Sequence, residues 1–217
     1  SPGAPHPSRT KGGPAGGLHL IADALRRQYR GWFCYMRASI LEKDEPEYTT
    51  KLMSDAWRQA RSKVGAPITF RIDLRESEHE RLDALSGNWR HNLKRSERAG
   101  NSVAIWKTGQ SLEPVYGVYQ EMNRLKGIRH MCSLRELHAM RDALGGCFTL
   151  AVTMSHEGQL SAVRGFGRIG TRAYDLIAAV TAAGRRQYAN YRLTWELLRL
   201  AERQGAESYD LGVANRQ

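Results

Sequence analysis

The sequence is poor in cysteine, in long apolar runs and in compact catalytic signatures. Its three cysteines, Cys34, Cys132 and Cys147, show neither CxxC spacing nor a pairing with histidine. They cannot make a disulfide framework or a zinc site, and they imply a reducing, cytoplasmic setting. No stretch approaches the ~18 unbroken apolar residues of a membrane span, which argues against stable membrane insertion. A Ser-His-Asp motif, HExxH, a P-loop and a Rossmann GxGxxG are all missing, and Gly165-Phe-Gly167 and Gly184 are too degenerate to count as phosphate fingerprints. The seven histidines are scattered without ligand spacing, and His91, His130 and His156 read as surface or turn residues, so no metal is expected. Acid is also scarce, with 22 Asp plus Glu against 33 Lys plus Arg, a formal charge of +11.

What is present fits a folded protein. Five Trp, nine Tyr and 41% apolar residues in 217 exclude disorder throughout and supply a core for one domain or two small ones. Of the 33 basic residues 26 are Arg, the residue suited to bidentate contacts with phosphate or carboxylate. A polyanionic partner follows: nucleic acid, a phosphorylated cofactor, a nucleotide-sugar or an anionic surface. The bland alternative is an Arg-rich composition inherited from a GC-rich genome, which accounts less well for local clustering.

Ser1 to Gly17 holds four Pro and five Gly without periodicity and reads as a flexible segment. Helical spacing follows over Leu18–Tyr29, then a strand over Trp32–Leu41 and a helix over Tyr48–Val64 that Gly65-Ala-Pro67 breaks. Ile68–Leu74 alternates as a strand with one wet face. Ser77 with Glu80 has capping-box spacing and opens a helix expected to break near Gly87, and Ser102–Lys107 is a short strand. Ser111 and Pro114 open the next helix, through about Met122. Ser133 with Glu136 opens another, ending at Gly145-Gly146. Cys147–Met154, Gln159–Ile169 and Ala173–Ala179 read as three strands joined by turns at Glu157-Gly158 and Gly170-Thr171, an expected antiparallel meander. Tyr188–Gln204 is an amphipathic helix capped by Gly205, and Ser208–Leu211 is the last strand. This strand leads the chain abruptly to Gln217, so the natural protein is expected to extend further.

Three basic groups are candidates for anion contact. Arg90, Lys94 and Arg98 repeat at i, i+4, i+8 on one helical face, with Trp89 and Leu93 on an adjacent face. Arg124-Leu-Lys126-Gly-Ile-Arg129 follows a helix, and Gly184-Arg185-Arg186 through Arg192 leads into the Tyr188 helix, where helix amides and arginines together suit phosphate. Each also reads as an ordinary solvated charge cluster.

The segment Trp89-Arg-x-Asn-Leu-Lys-Arg-Ser-x-Arg-Ala-Gly100, followed by a strand, resembles the basic helix of FemABX-like transferases. Ala173-Tyr174, Ala182-Ala-Gly-Arg185, Leu193-x-Trp195-Glu196, Ala201-x-x-x-Gly205 and Tyr209-Asp-Leu-Gly212 match that family's C-terminal half in order and approximate spacing. The resemblance covers about residues 30–217 and implies a mixed α/β fold of two tandem GNAT-like domains. These are a partial first domain over 18–108, incomplete at its start, and a second over 109–217. It implies an acyltransferase moving an aminoacyl group from aminoacyl-tRNA to an amine of an anionic, peptidoglycan-precursor-like or peptide acceptor, without a bound cofactor. The alternatives are an acyl-CoA-dependent N-acyltransferase, with Ala182–Arg185 as the pyrophosphate loop, and a non-catalytic GNAT-like binding module. Residue by residue, Tyr174 is the catalytic candidate. Arg124 and Lys126, with Arg90, Lys94 and Arg98, are substrate contacts, and Gly184, Arg185, Arg186 and Arg192 are donor contacts. The family's second Gly is Val213 here, and no Phe-Lys pair follows it.

Overall fold

The computed structural model describes residues 23, 24, 26, 27, 58, 69–128, 132–155 and 157–213. The chain divides into two compact units, Ser1–Gly65 and Ala66–Gln217. In the first, the four described residues of the expected Leu18–Tyr29 helix are helical. Arg26 donates to Asp23 one turn away, at 3.0 Å. Arg58, the described residue of the expected Tyr48–Val64 helix, has no regular structure. The Ser1–Gly17 segment and the Trp32–Leu41 strand lie outside the described residues.

The second unit is a mixed sheet sandwiched between helices. In chain order its elements are β1 (Thr69–Asp73), α1 (Glu78–Ala84), α2 (Gly87–Arg98), β2 (Ser102–Trp106), α3 (Glu113–Lys126) and α4 (Leu134–Leu144). After them come β3 (Phe148–Met154), β4 (Leu160–Ile169), β5 (Arg172–Val180), α5 (Ala182–Arg186), α6 (Ala189–Arg203) and β6 (Ser208–Val213). Six strands lie in the order β1-β6-β5-β4-β3-β2. The meander β3–β4–β5 is antiparallel, as its two short turns require, and β6 returns parallel to β5 through the α6 crossover. Both capping boxes form: Ser77 with Glu80 opens α1, and Ser133 with Glu136 opens α4.

The division expected at 108/109 does not coincide with the compact unit. It falls in the loop between β2 and α3, while β1 and β2 are the outer strands of the same sheet as β3–β6. That loop is a tight turn rather than a linker. Lys107 N–H donates to the Gln110 side chain at 2.6 Å, and the Trp106 indole N–H donates to the Ser111 carbonyl at 3.0 Å.

Strand alternation sorts the core into two layers. Ala151, Ala162, Phe166, Ala173 and Tyr209 meet α6 and α2 on one face; Leu150, Val152, Val163, Ile177 and Ala179 meet α3 and α4 on the other. α6 buries Leu193, Trp195, Leu197 and Leu198, and each such side chain is worth about 1.5–3 kcal/mol in apolar burial. Trp89 of α2 packs edge-on against Tyr191 at 5.4 Å between ring centroids, which is the docking expected of the apolar face beside the basic strip.

Candidate functional site

β5 and β6 pair over only three rungs: Arg172 with Ser208, Ala173 with Tyr209 and Tyr174 with Asp210. Past that point β5 continues to Val180 beside β4, while β6 runs to Val213 beside β1. The strands therefore part into a fork whose root is the Tyr174–Asp210 rung. A bulge in β5 sits just above the root, because Gly165 pairs with Ile177 and Phe166 with Asp175, leaving Leu176 unpaired. Bulges re-aim side chains. This one lets Asp175 face α6 while Ile177 joins the core beneath α3.

The root is braced by a buried ion pair. Arg164 Nε and Nη2 donate to the two Asp175 oxygens at 2.9 and 3.0 Å, and Arg164 Nη1 reaches Thr194 Oγ1 of α6 at 2.8 Å. Tyr209 O–H donates to Asp175 at 3.0 Å. Burial raises the Asp175 carboxyl above its ordinary range against the pull of Arg164. Burial, together with Asp175 beside it, pushes the Tyr209 phenol far up, so it stays a donor. Every Asp175 oxygen is engaged, so this carboxylate positions the strands rather than acting as a free base. On the outer arm, Asp210 accepts from Thr69 Oγ1 and from Gly212 N–H, the latter at 2.7 Å, tying β6 to β1.

Tyr174 stands half-buried at the root, on the opposite face of β5 from Asp175 by strand alternation. Gly165 and Gly167 are packing positions, since a Cβ on Gly165 would lie 2.9 Å from the Thr149 carbonyl oxygen and one on Gly167 2.8 Å from Leu176 Cδ1.

The end of the sheet where β5 finishes collects most of the basic candidates. β2 starts there, by the chain of register from Ser102 through Met154 to the rung of Ala162 with Val180, so α2 ends there. α3 also ends there, because Glu121 accepts from Ala182 N–H, the first amide of α5, at 2.9 Å. Arg95 of α2 stacks its guanidinium 4.2 Å over the ring of Tyr188, two residues past Arg186. Lys94, Arg98, Arg124, Lys126, Arg185 and Arg186 are exposed there, and none forms an ion pair among the described residues.

Three expected contacts have structural partners instead. Arg90 is turned back onto the carbonyls of Leu82, Asp83 and Leu85, at 2.6 Å to Asp83, where α1 ends; the Leu82 carbonyl also accepts from Leu85 N–H at 3.3 Å. It leaves the strip that Lys94 and Arg98 continue. Arg192 donates to the Asn101 carbonyl at 2.8 Å. Gly184 is buried where a Cβ would lie 2.1 Å from the Ser161 carbonyl oxygen, so it is a point of close backbone approach.

The proposed pyrophosphate loop is likewise occupied. Ala182 N–H is held by Glu121, Gly184 N–H by Thr181 Oγ1 at 2.9 Å, and Arg185 N–H by the Thr181 carbonyl at 2.9 Å. A carboxylate stands at the first amide a phosphate would need. Sequence reasoning missed Arg164, Asp175, Tyr209, Glu121, Arg95 and Tyr188. An Arg in the middle of β4 and the one Asp of β5, each flanked by apolar or glycine residues, were the available signal for the buried pair. Among the described residues no group of His, Cys, Asp and Glu could hold a metal, and no helix is long and apolar enough to cross a membrane.

No family model and no curated protein matches the sequence. Among solved structures the chain is similar to one described as FemX, with TM-score 0.70, 12% identity, and coverage of 94% of this chain and 69% of that one. It is also similar to the C-terminal domain of a putative lysylphosphatidylglycerol synthetase from Agrobacterium fabrum. There the TM-score is 0.53 at 15% identity, covering 69% of this chain and 47% of that one, so the chain spans about half of that structure's length. These likenesses show the fold, a mixed α/β architecture like that of FemX.

Proposed function

We propose that this chain is an acyltransferase that moves an aminoacyl group from aminoacyl-tRNA to an amine on a peptide or peptidoglycan-precursor-like acceptor. The fold class is that of acyl-transfer proteins, and two of the FemABX-like motifs, Ala173-Tyr174 and Tyr209-Asp-Leu-Gly212, fall on the two strands that make the fork. One observation carries the choice of donor: three of the four Ala182–Arg185 amides that a CoA pyrophosphate would use, those of Ala182, Gly184 and Arg185, are already bonded within the protein, Ala182 to the Glu121 carboxylate. The exposed cations beside them remain open to a larger polyanion.

The acceptor amine attacks the ester carbonyl in a ternary complex, the tetrahedral intermediate collapses, and the ribose hydroxyl leaves with the proton the amine gives up. No enzyme nucleophile is needed, so positioning supplies much of the rate. In this reading Tyr174, at the fork root, hydrogen-bonds the oxyanion, and a single such donor is worth about 2.7–4 kcal/mol.

The test is single-turnover transfer from charged tRNA and from acyl-CoA to an amine acceptor, with the parent and Tyr174→Phe. Transfer from charged tRNA, slowed about 100-fold or more in Tyr174→Phe with fold intact, is the expected result. Transfer from acyl-CoA with tRNA inert as donor overturns the proposal.

A further inference from the structure

Resting on the aminoacyl-tRNA reading, we infer that the end of the sheet where β5 finishes is an RNA-docking surface. The last turns of α2 and α3, with α5 between them, form one cationic rim that follows the phosphate backbone of the donor's stem.

Contiguity is the first support. The Arg95–Tyr188 stack joins α2 to the α5–α6 junction, and the Glu121–Ala182 bond joins α3 to the start of α5. Three groups that are far apart in sequence thus become neighbours around α5. Charge is the second. Each helix ends in at least two cations, and those other than the stacked Arg95 have no ion pair among the described residues. The carboxylates nearest in sequence are Glu97, exposed on α2, and Glu121, already bonded. Dipole complementation at a helix C-terminus accounts for a cation there at about 0.3–1 kcal/mol, not for an unpaired cluster shared by three helices.

Tyr188 is the third support. It is the one non-glycine residue with positive φ, at 57°, among the described residues. Such a backbone costs about 1–3 kcal/mol and persists only where its surroundings hold it. Here it sets the phenol ring beneath Arg95, so the guanidinium is pre-oriented rather than free. Spread over three helices, the cations do not converge on one point as a site for a single phosphate would; they suit a line of phosphates. An anionic membrane would also want apolar anchors along the rim. Large exposed apolar side chains on these helices are confined to Leu125, with Ile128 just past the end of α3.

The experiment measures binding of uncharged total tRNA to the whole protein by anisotropy, across a salt series. Three variants accompany the parent: Arg95→Ala/Arg98→Ala/Arg185→Ala/Arg186→Ala, the smaller Arg185→Glu/Arg186→Glu, and Lys107→Ala/Arg203→Ala as a control at the opposite end. Removing one cation from a phosphate lowers the log–log salt slope by about 0.9. A slope reduced by about 3 or more in the fourfold variant, by about 2 in the double reversal, and by less than about 1 in the control supports the rim. Equal slopes in parent and both rim variants overturn it; if charged tRNA still serves as donor, the donor reading survives alone. Rim-dependent tRNA binding with turnover only from acyl-CoA supports the rim and overturns the donor reading. Binding to phosphatidylglycerol vesicles with no binding to tRNA overturns the RNA surface.

Discussion

Arginine behaves differently at the two ends of the sheet. Where β5 begins, several arginines meet carboxylates, although Arg168 donates to the Gly170 carbonyl and Arg203 has no ion pair among the described residues. Arg75 pairs with Asp73 at 2.9 Å, Arg81 with Glu202, and Arg141 with Asp142 at 3.3 Å; along the neighbouring helices Arg199 bridges Glu78 and Glu196. Where β5 finishes, the exposed cations of α2, α3 and α5 have no such partners among the described residues. Among the described residues of the second unit, the arginines held by carboxylates thus gather toward one end of the sheet. An arginine excess inherited from base composition alone would carry no preference for one end.

The largest test of this contrast lies between the ends, at Arg164. Arg164→Met strands the Asp175 carboxylate in the core, and breaking a buried pair costs about 3–5 kcal/mol. Urea unfolding should show that loss, and Arg164→Met/Asp175→Leu should regain much of it. Next is Gly184→Ala, whose Cβ meets the Ser161 carbonyl and must push α5 off the sheet. Its expected cost is about 1–3 kcal/mol by thermal unfolding, with weaker tRNA binding because Arg185 and Arg186 move with the helix. The direct comparison of the two ends is Arg81→Ala against Arg186→Ala. Arg81 is buried and donates to the carbonyls of Leu74 and Glu76 as well as to Glu202, so its loss should cost about 2 kcal/mol. Arg186→Ala should stay within about 0.5 kcal/mol of the parent yet lower the tRNA salt slope by about 1. If the two variants destabilise equally, the polarity has no energetic content.

The smallest expected effect treats both ends alike. Each carries one capping box, and hydrogen bonds from Ser77 and Ser133 hold Glu80 and Glu136 below their ordinary value of 4.5. A depressed folded pKa stabilises fully above the unfolded value and loses that contribution as pH falls through the folded one. Hydrogen exchange at the first turns of α1 and α4 should therefore accelerate, relative to intrinsic rates, as pH falls below the ordinary carboxyl value, and equally at the two ends.

Much of the local structure was legible in the sequence because it rests on near neighbours. Ser-x-x-Glu wrote both capped helices, alternation wrote the meander, and Gly158 and Gly170 marked its turns. Arg90 misled because its helical position is right but its guanidinium answers to α1, one element earlier. The 108/109 division, which the resemblance implied, does not coincide with the compact unit because β2 pairs with β3 across it. The fork, the bulge at Leu176 and the Glu121–Ala182 bond depend on residues dozens of positions apart. Nothing in local spacing encodes them. Of the candidates, Lys94, Arg98, Arg124, Lys126, Arg185 and Arg186 come exposed to the same end of the sheet, while Arg192 is bonded to the Asn101 carbonyl and Gly184 packs against the Ser161 carbonyl.

The pairing of β1 with β6 also governs how the molecule is made. Thr69 and Asp210, bonded across that pair, are separated by 141 positions. During synthesis β1, carrying the exposed Phe70, emerges before every other strand of this sheet, and β6 emerges last of them. At about 5–20 residues per second, β1 waits several seconds or more for its native neighbour, a free edge open to foreign strands in the meantime. Closure of so distant a contact carries the largest loop entropy in the unit and should set its folding rate. The outer arm of the fork is thus also the place where a slowed ribosome or a bound chaperone would most change the yield of native protein.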